Sequence, residues 1–291
     1  MGKKMKLRVT KRKRLSGSVG GDIAIFLMLS LLGCFMLFPI YLSVVQSLKP
    51  PEEFFIFPPR MIPINPTGQN FEELFRAAGN MWVPFSRYLF NSVFVTIVVT
   101  VSQLIFASMA AYVLSKVKAP GVRLLNRAVE IALLFQSTVT FIMVYMVMAQ
   151  LNMIDTYFAI TLPFIATPLS LFFMRQFMGQ IPDSMIEAAH IDGAGHFRTC
   201  WQIVMPNVKP AWITLIIFAF TAAWQITGWS YIFSESLKPL PTVLEQIRLS
   251  GIARAGVGAA ASVFIMTPPM LMFVFCQSNV IETMAHSGLK E

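Results

Sequence analysis

Charge is what this sequence has least of. Only 13% of its 291 residues are Asp, Glu, Lys or Arg, against 56% that are hydrophobic, about half the charged share of a soluble domain. That scarcity excludes an ordinary water-facing surface. Cysteine is nearly absent as well. Cys34, Cys200 and Cys276 lie far apart with no CxxC spacing, which excludes a disulfide framework or thiolate metal site and leaves small apolar fillers. Also missing are a G-x-x-x-x-G-K-[ST] phosphate loop, an HExxH pair and a GxSxG turn. Without them the chain has no signature for cradling nucleotide phosphates or for hydrolysis.

What is present is long apolar runs, each close to the length that spans a bilayer core as a helix. Six such spans are expected, at about 23–45, 89–114, 128–149, 157–178, 211–233 and 262–281. Pro163, Pro168, Pro268 and Pro269 fall inside spans four and six and predict kinks there. Residues 1–14 hold eight Lys and Arg and no acid. The apolar stretch that follows is longer than a signal-peptide core and has no A-x-A site, so it reads as a retained first span. With the N-terminus inside, the cytoplasmic segments carry 16 Lys and Arg and the outer ones 7, which the positive-inside rule favours. Both termini are expected in the cytoplasm. The expected organisation is a basic tail over 1–21, one membrane domain over 22–285 and a short C-terminus over 286–291. The outer segment 47–87, rich in Pro and Phe, reads as a rigid extended loop on the outer surface.

Between spans four and five lies a polar stretch, EAAHIDGAGHFRTCWQIVMP, over residues 187–206. Ser184-x-x-Glu187 has the spacing of a capping box, and Gly193 interrupts the helix that follows. Phe197, Cys200, Trp201 and Val204 then fall at i, i+3, i+4, i+7 as one apolar stripe. Two short helices around a glycine bend are therefore expected over about 182–206, facing the cytoplasm. Ala188, Ala189, Gly193, Ala194 and Gly195 would let another backbone approach closely. His190, Asp192 and His196 raise the question of a metal site, but the glycines loosen their geometry and no fourth ligand is near. A solvated docking surface is the reading adopted.

The pattern EAA-x3-G-x9-I-x-L-P resembles the cytoplasmic signature of permease subunits of bacterial ABC importers. Glu187, Ala188, Ala189, Gly193, Ile203 and Pro206 stand at its spacing, with Met205 where Leu is usual. The extended form EAAHIDGA, the loop FFIFPPRMIP, Asn91-Ser92, AAYVLSK and LFFMRQFMGQIPDSM resemble the sugar-importing, MalG-type subfamily. That resemblance implies an all-α, type I ABC importer permease fold with six transmembrane helices and a cytoplasmic coupling helix, in a bacterial inner membrane. It implies a second homologous permease, two ATPase subunits that bind ATP and Mg, an extracytoplasmic solute-binding protein and a sugar substrate. It implies no cofactor in this chain and no nucleic acid. Carried over residue by residue, Glu187, Ala188, Ala189, Asp192, Gly193 and Ala194 would meet the ATPase. RLSGSVGG, Arg14 to Gly21, superficially resembles the signature of the ATPase subunits themselves, but the missing phosphate loop argues for a plain approach to span one.

A sugar path needs aromatic faces and amide or hydroxyl groups. Trp224, Gln225 and Thr227 in span five and Gln136 and Thr140 in span three are the candidates, with lipid among the surroundings. Trp229 and Tyr231 read instead as an interfacial belt. Glu130 is an intramembrane acid, and Arg127 three residues earlier offers it an ion pair. Other readings stay open: uptake of an amino acid or polyol phosphate, an ion-coupled secondary carrier, and a membrane-embedded enzyme.

Overall fold

The protein, described here as a computed structural model, is defined over residues 19–287 apart from 57, 59, 80, 81, 136, 229 and 250–254. All regular elements among the described residues are helical. The α-helices are α1 (Val19–Ser47), α2 (Gln69–Gly79), α3 (Phe85–Lys116), α4 (Val122–Ala132), α5 (Ser137–Gln150), α6 (Tyr157–Ile165), α7 (Pro168–Gly179), α8 (Asp183–Ile191), α9 (His196–Arg198), α10 (Met205–Asn207), α11 (Lys209–Trp224), α12 (Leu240–Arg248) and α13 (Ala255–Ser287), with short 3-10 turns at Pro51–Phe55 and Glu235–Leu237. A π-helical turn over Thr199–Val204 joins α9 to α10.

Among the described residues, four stretches are long and apolar enough to cross a membrane: Gly20–Ser47, Phe85–Lys116, Tyr157–Gly179 and Ala255–Gln277. A fifth follows if His196–Asn207 and Lys209–Trp224, bent by 89°, count as one. The membrane-protein reading therefore holds, while helix length and composition give four or five crossings. The third expected span is interrupted between Ala132 and Ser137, leaving two short helices. The fifth stops at Trp224 instead of reaching 233, because the chain then takes a left-handed turn at Gly228 (φ +67°). Span four breaks where Pro168 was expected to act. Ala166 and Thr167 are extended, as a residue before proline prefers, and Thr167 caps α7. In α13 the helix runs through Pro268 and Pro269.

Helix α3 is central, packing on α7, α11, α6 and α12. Its 32 residues contain no glycine and no proline. At its C-terminal end a core of Ala107, Ala111, Tyr112, Met174, Met178, Cys200, Val204 and Leu215 unites α3, α7, α11 and the polar segment. At its N-terminal end a second core joins Tyr88 to Leu74, Leu240, Leu244 and Val257 from α2, α12 and α13.

The segment 47–87 departs from the extended loop expected. It contains α2, whose Leu74 and Ala78 are buried and whose Phe71 packs on the same core. Those positions, with Phe75, follow helical spacing, a signal the prolines around it obscure. Elsewhere the segment is stapled as anticipated for a rigid loop. Glu53 accepts from the Ile64 and Asn65 amides (3.1–3.2 Å), Lys49 donates to the Arg60 carbonyl (2.6 Å), and buried Asn70 donates to the Ser47 and Lys49 carbonyls (2.8 and 2.7 Å).

Candidate functional site

The polar segment forms the helix–bend–helix expected of it, but its start differs. Helix α8 begins at Asp183 with Pro182 at the N-cap, and no side chain caps it. Ser184 and Glu187 both lie inside the helix, so the capping box does not form. Proline at the boundary already lacks a useful side-chain acceptor, and its fixed φ suits helix entry. The end of α8 is a Schellman motif. The Gly193 amide donates to the His190 carbonyl (3.1 Å) and that of Ala194 to Ala189 (2.9 Å), with Gly193 at φ +80°. His190 Nδ1 lies 2.9 Å from the Ala194 carbonyl oxygen, and the rings of His190 and His196 meet edge to face at 4.9 Å.

The segment has an inner and an outer side. Ile186 and Ala189 are buried against the bundle, whereas Glu187, Ala188, Asp192 and Gly193 are exposed and Ala194 is half-buried. Ala189 therefore sits on the packing side, away from the other coupling candidates. Ile191, which sequence reasoning did not single out, is 86% exposed at the tip. Phe197 is also 69% exposed, while Cys200 and Val204 are buried. The stripe expected from α-helical spacing is split because the intervening turn is π-helical, and its i→i+5 spacing rotates Phe197 away. Burial pushes the Cys200 thiol up to about 11.

Two residues at the end of α3, spaced i, i+4, hold this segment. The Lys116 side chain is only 4% exposed; its Nζ donates to the Ile181 carbonyl and pairs with Asp183 at 2.9 Å. That hydrogen bond, with the charge behind it, holds the Asp183 carboxyl below its ordinary range. One turn earlier, the Tyr112 hydroxyl lies 3.3 Å from His196 Nδ1. The basic end of AAYVLSK was the available signal for both.

Glu130 does not pair with Arg127. Arg175 of α7 bonds Glu130 at 3.0 Å and the Asn126 side chain at 2.7 Å, and lies over the Phe172 ring. Asn126 and Glu130 share one face of α4, which turns toward a largely buried guanidinium that needs both acceptors; Arg127 is exposed.

Of the path candidates, Gln225 and Thr227 come together in a cavity of about 260 Å³ with Phe164, Ser230 and Tyr231. Trp224 does not join them. It is 4% exposed, and its indole N–H donates to the Ile265 carbonyl at 2.9 Å. Pro269 lacks the amide that would otherwise take that carbonyl, so Trp224 repairs a proline defect in α13. Tyr231 is buried against Phe141 and Tyr145 of α5 rather than standing in an interfacial belt; the left-handed turn at Gly228 folds it inward. Thr140 is exposed on α5, and Gln136 and Trp229 lie outside the described residues.

At the opposite end of the bundle, Asp155, at φ +60°, reaches across to the segment after α11. Its carboxylate accepts from the Phe233 and Ser234 amides (2.9 and 2.8 Å) and the Ser234 hydroxyl. Desolvation pushes against the ionised form, but these bonds outweigh it and hold the carboxyl below its ordinary range. Asp155 carries no sequence motif, since its partners are nearly 80 residues away.

The chain is similar to several known proteins. The family described as binding-protein-dependent transport system inner membrane component matches residues 77–283. The chain is 30% identical over 265 residues to the sn-glycerol-3-phosphate transport system permease protein UgpE of Yersinia enterocolitica, covering 89% of this chain and 94% of the relative. It is 28% identical to the arabinooligosaccharides transport system permease protein AraQ of Bacillus subtilis, covering 91% and 93%. A chain in the crystal structure of a bacterial ABC transporter involved in the import of the acidic polysaccharide alginate superposes with a TM-score of 0.76 at 21% identity, covering 91% of this chain and 99% of that one.

Proposed function

The chain belongs to the family of binding-protein-dependent transport system inner membrane components, and from that premise we propose that it is the permease subunit of an ATP-driven sugar importer. It supplies half of a translocation pathway, with a second homologous permease supplying the rest. Two separate ATPase subunits bind ATP and Mg and hydrolyse the nucleotide, and an extracytoplasmic binding protein delivers the solute. The chain lies in the inner membrane with both termini and the segment 182–206 in the cytoplasm.

The observation that carries this reading is the exposed side of α8. Glu187, Ala188, Asp192 and Gly193, together with Ile191, form a small-residue, apolar-tipped surface on a helix fixed to the bundle by Lys116. Such a surface suits insertion into a cleft of an ATPase. Closing of the ATPase dimer on ATP would draw the two coupling segments together and rock the bundle between inward-open and outward-open states. Gln225 and Thr227 offer the amide and hydroxyl, and Phe164 and Tyr231 the ring faces, that a sugar would use.

The test is ATP-dependent uptake by the assembled complex in proteoliposomes. Arabino-oligosaccharides and glycerol 3-phosphate serve as competing radiolabelled solutes. Accumulation of the oligosaccharide that is abolished by Glu187→Lys supports the proposal, whereas uptake indifferent to ATP sinks it. The 30% identity to a glycerol-3-phosphate permease favours a second reading, uptake of a polyol phosphate; the same assay separates the two.

A further inference from the structure

Helix α3 is anchored by side chains at both of its ends, and to different things. At its C-terminal end Lys116 and Tyr112 grip the segment that follows α7, through Ile181, Asp183 and His196. At its N-terminal end the grip falls on residues 235–240, at the far side of the bundle. Tyr88 donates to Glu235 (2.9 Å), and Asn91 Nδ2 donates to the Ser236 and Lys238 carbonyls (both 2.9 Å). The Ser92 hydroxyl accepts from the Leu240 amide (2.6 Å). Tyr157 in turn donates to Asn91 Oδ1 (2.7 Å), and Arg87 donates to the Ser236 carbonyl (3.2 Å). Asn91 is fully buried and has all its amide groups engaged.

From Asn91 to Lys116 the helix rises through 25 of its 32 residues, about 38 Å. Each of the other long apolar stretches has a place where it can bend. Pro39 lies within α1 and Pro268 and Pro269 within α13, where each removes a backbone hydrogen bond, α6 and α7 are separated by two extended residues, and the approach to α11 bends by 89°. Helix α3 has no such place. A rod without a hinge, held by polar side chains at each end, moves both attachments together, whereas hinged helices absorb displacement.

We propose that α3 is the transmission rod of the transporter. Lys116 and Asn91 are its positioning residues, tying the ATPase-facing segment to the 235–240 segment on the opposite surface. This rests on the coupling role proposed above and adds the route by which movement leaves the coupling segment. The linkage is reciprocal: whatever docks on the far surface and displaces residues 235–240 reaches the ATPase contact through the same helix.

The experiment is a pulsed spin-label distance measurement on the complete complex in nanodiscs, in a background with Cys34, Cys200 and Cys276 replaced. Labels are placed at Ser236→Cys, on the anchored segment, and Ile62→Cys, on the loop stapled to α1 by the Tyr41–Met61 bond. ATP with vanadate is the perturbant, and ATP hydrolysis is recorded in parallel. The expected result is a nucleotide-dependent distance shift in the parent protein. In Lys116→Met the shift is lost while hydrolysis persists, and in Lys116→Asp combined with Asp183→Lys it returns. Asn91→Ala cuts the far anchor and gives the same loss, so the test survives if Lys116→Met fails to assemble. A full shift in either assembled single variant overturns the rod. A parent complex that neither hydrolyses ATP nor shifts overturns the coupling reading itself.

Discussion

Substitution of Gly193 separates a backbone requirement from a surface one. The residue sits at φ +80°, and a Cβ added to it would meet nothing within 4 Å. Steric crowding inside the chain is therefore no obstacle, and the cost of a side chain is conformational. For an ordinary L-residue the left-handed region costs roughly 1–2 kcal/mol, less for Asn and more for β-branched side chains. That corresponds to about a 5–30-fold loss in the population of the bent segment. Proline goes further, since it fixes φ near −65° and removes the amide that bonds the His190 carbonyl. The expected order of ATP-dependent uptake, normalised to chain in the membrane, is Gly, then Gly193→Asn, Gly193→Ala, Gly193→Val and Gly193→Pro. Retention of the ATPase subunits on the affinity-purified chain should follow the same order. Wild-type uptake by Gly193→Val would refute the argument from φ. If Gly193→Asn fails as completely as Gly193→Val, side-chain volume against a docked partner governs the site and the backbone argument is likewise refuted.

Gly256→Ala meets the opposite situation, because its Cβ would fall 2.7 Å from Cγ of buried Asn70; a loss of roughly 1–3 kcal/mol is expected, read as a lower melting temperature in detergent. Trp224→Phe strands the Ile265 carbonyl in an apolar interior, which costs about 1–3 kcal/mol of stability; uptake KM should stay unchanged, and a KM shift without destabilisation would return Trp224 to the solute path. Asp155 has a depressed carboxyl pKa, so its contribution is complete above the ordinary carboxylate range and is lost as pH falls through the lowered folded value. The Asp155→Asn variant should therefore be less stable than the parent at neutral pH, and the two should converge in strong acid, as followed by thermal melts. Cys200 is buried with its thiol raised to about 11, so a water-soluble maleimide should leave it unmodified at neutral pH in the folded complex.

Much of this architecture is written in local sequence. Apolar runs located α1, α3, the α6–α7 pair and α13, and Gly193 announced its bend, because each depends on residues close together in the chain. What stayed hidden depends on partners far away. Arg175 claims Glu130 across 45 residues, Asp155 claims Phe233 and Ser234 across 78 and 79, and Asn91 claims Ser236 across 145. The same holds for Trp224, whose polar-aromatic character suggested a ligand but whose partner is a carbonyl freed by a proline 45 positions on. Helix α2 was missed for a different reason. Its apolar face is short, and the prolines around it argued for a loop. The π-helical turn at Thr199–Val204 shifted the apolar stripe because periodicity arguments assume 3.6 residues per turn throughout.

Helix α1 has a consequence of another kind. Its apolar stretch Gly20–Ser47 is 28 residues, none of its most apolar window is buried within the chain, and its helical neighbour is α13. At 1.5 Å per residue it is about 42 Å long, against about 30 Å of hydrocarbon in a typical bilayer. A rod longer than the slab it crosses leans, curves or thickens the slab around it. The energy of every state that differs in the angle of α1 therefore depends on lipid chain length. Reconstitution in short-chain and long-chain phosphatidylcholines should move the balance between those states with no change in the protein.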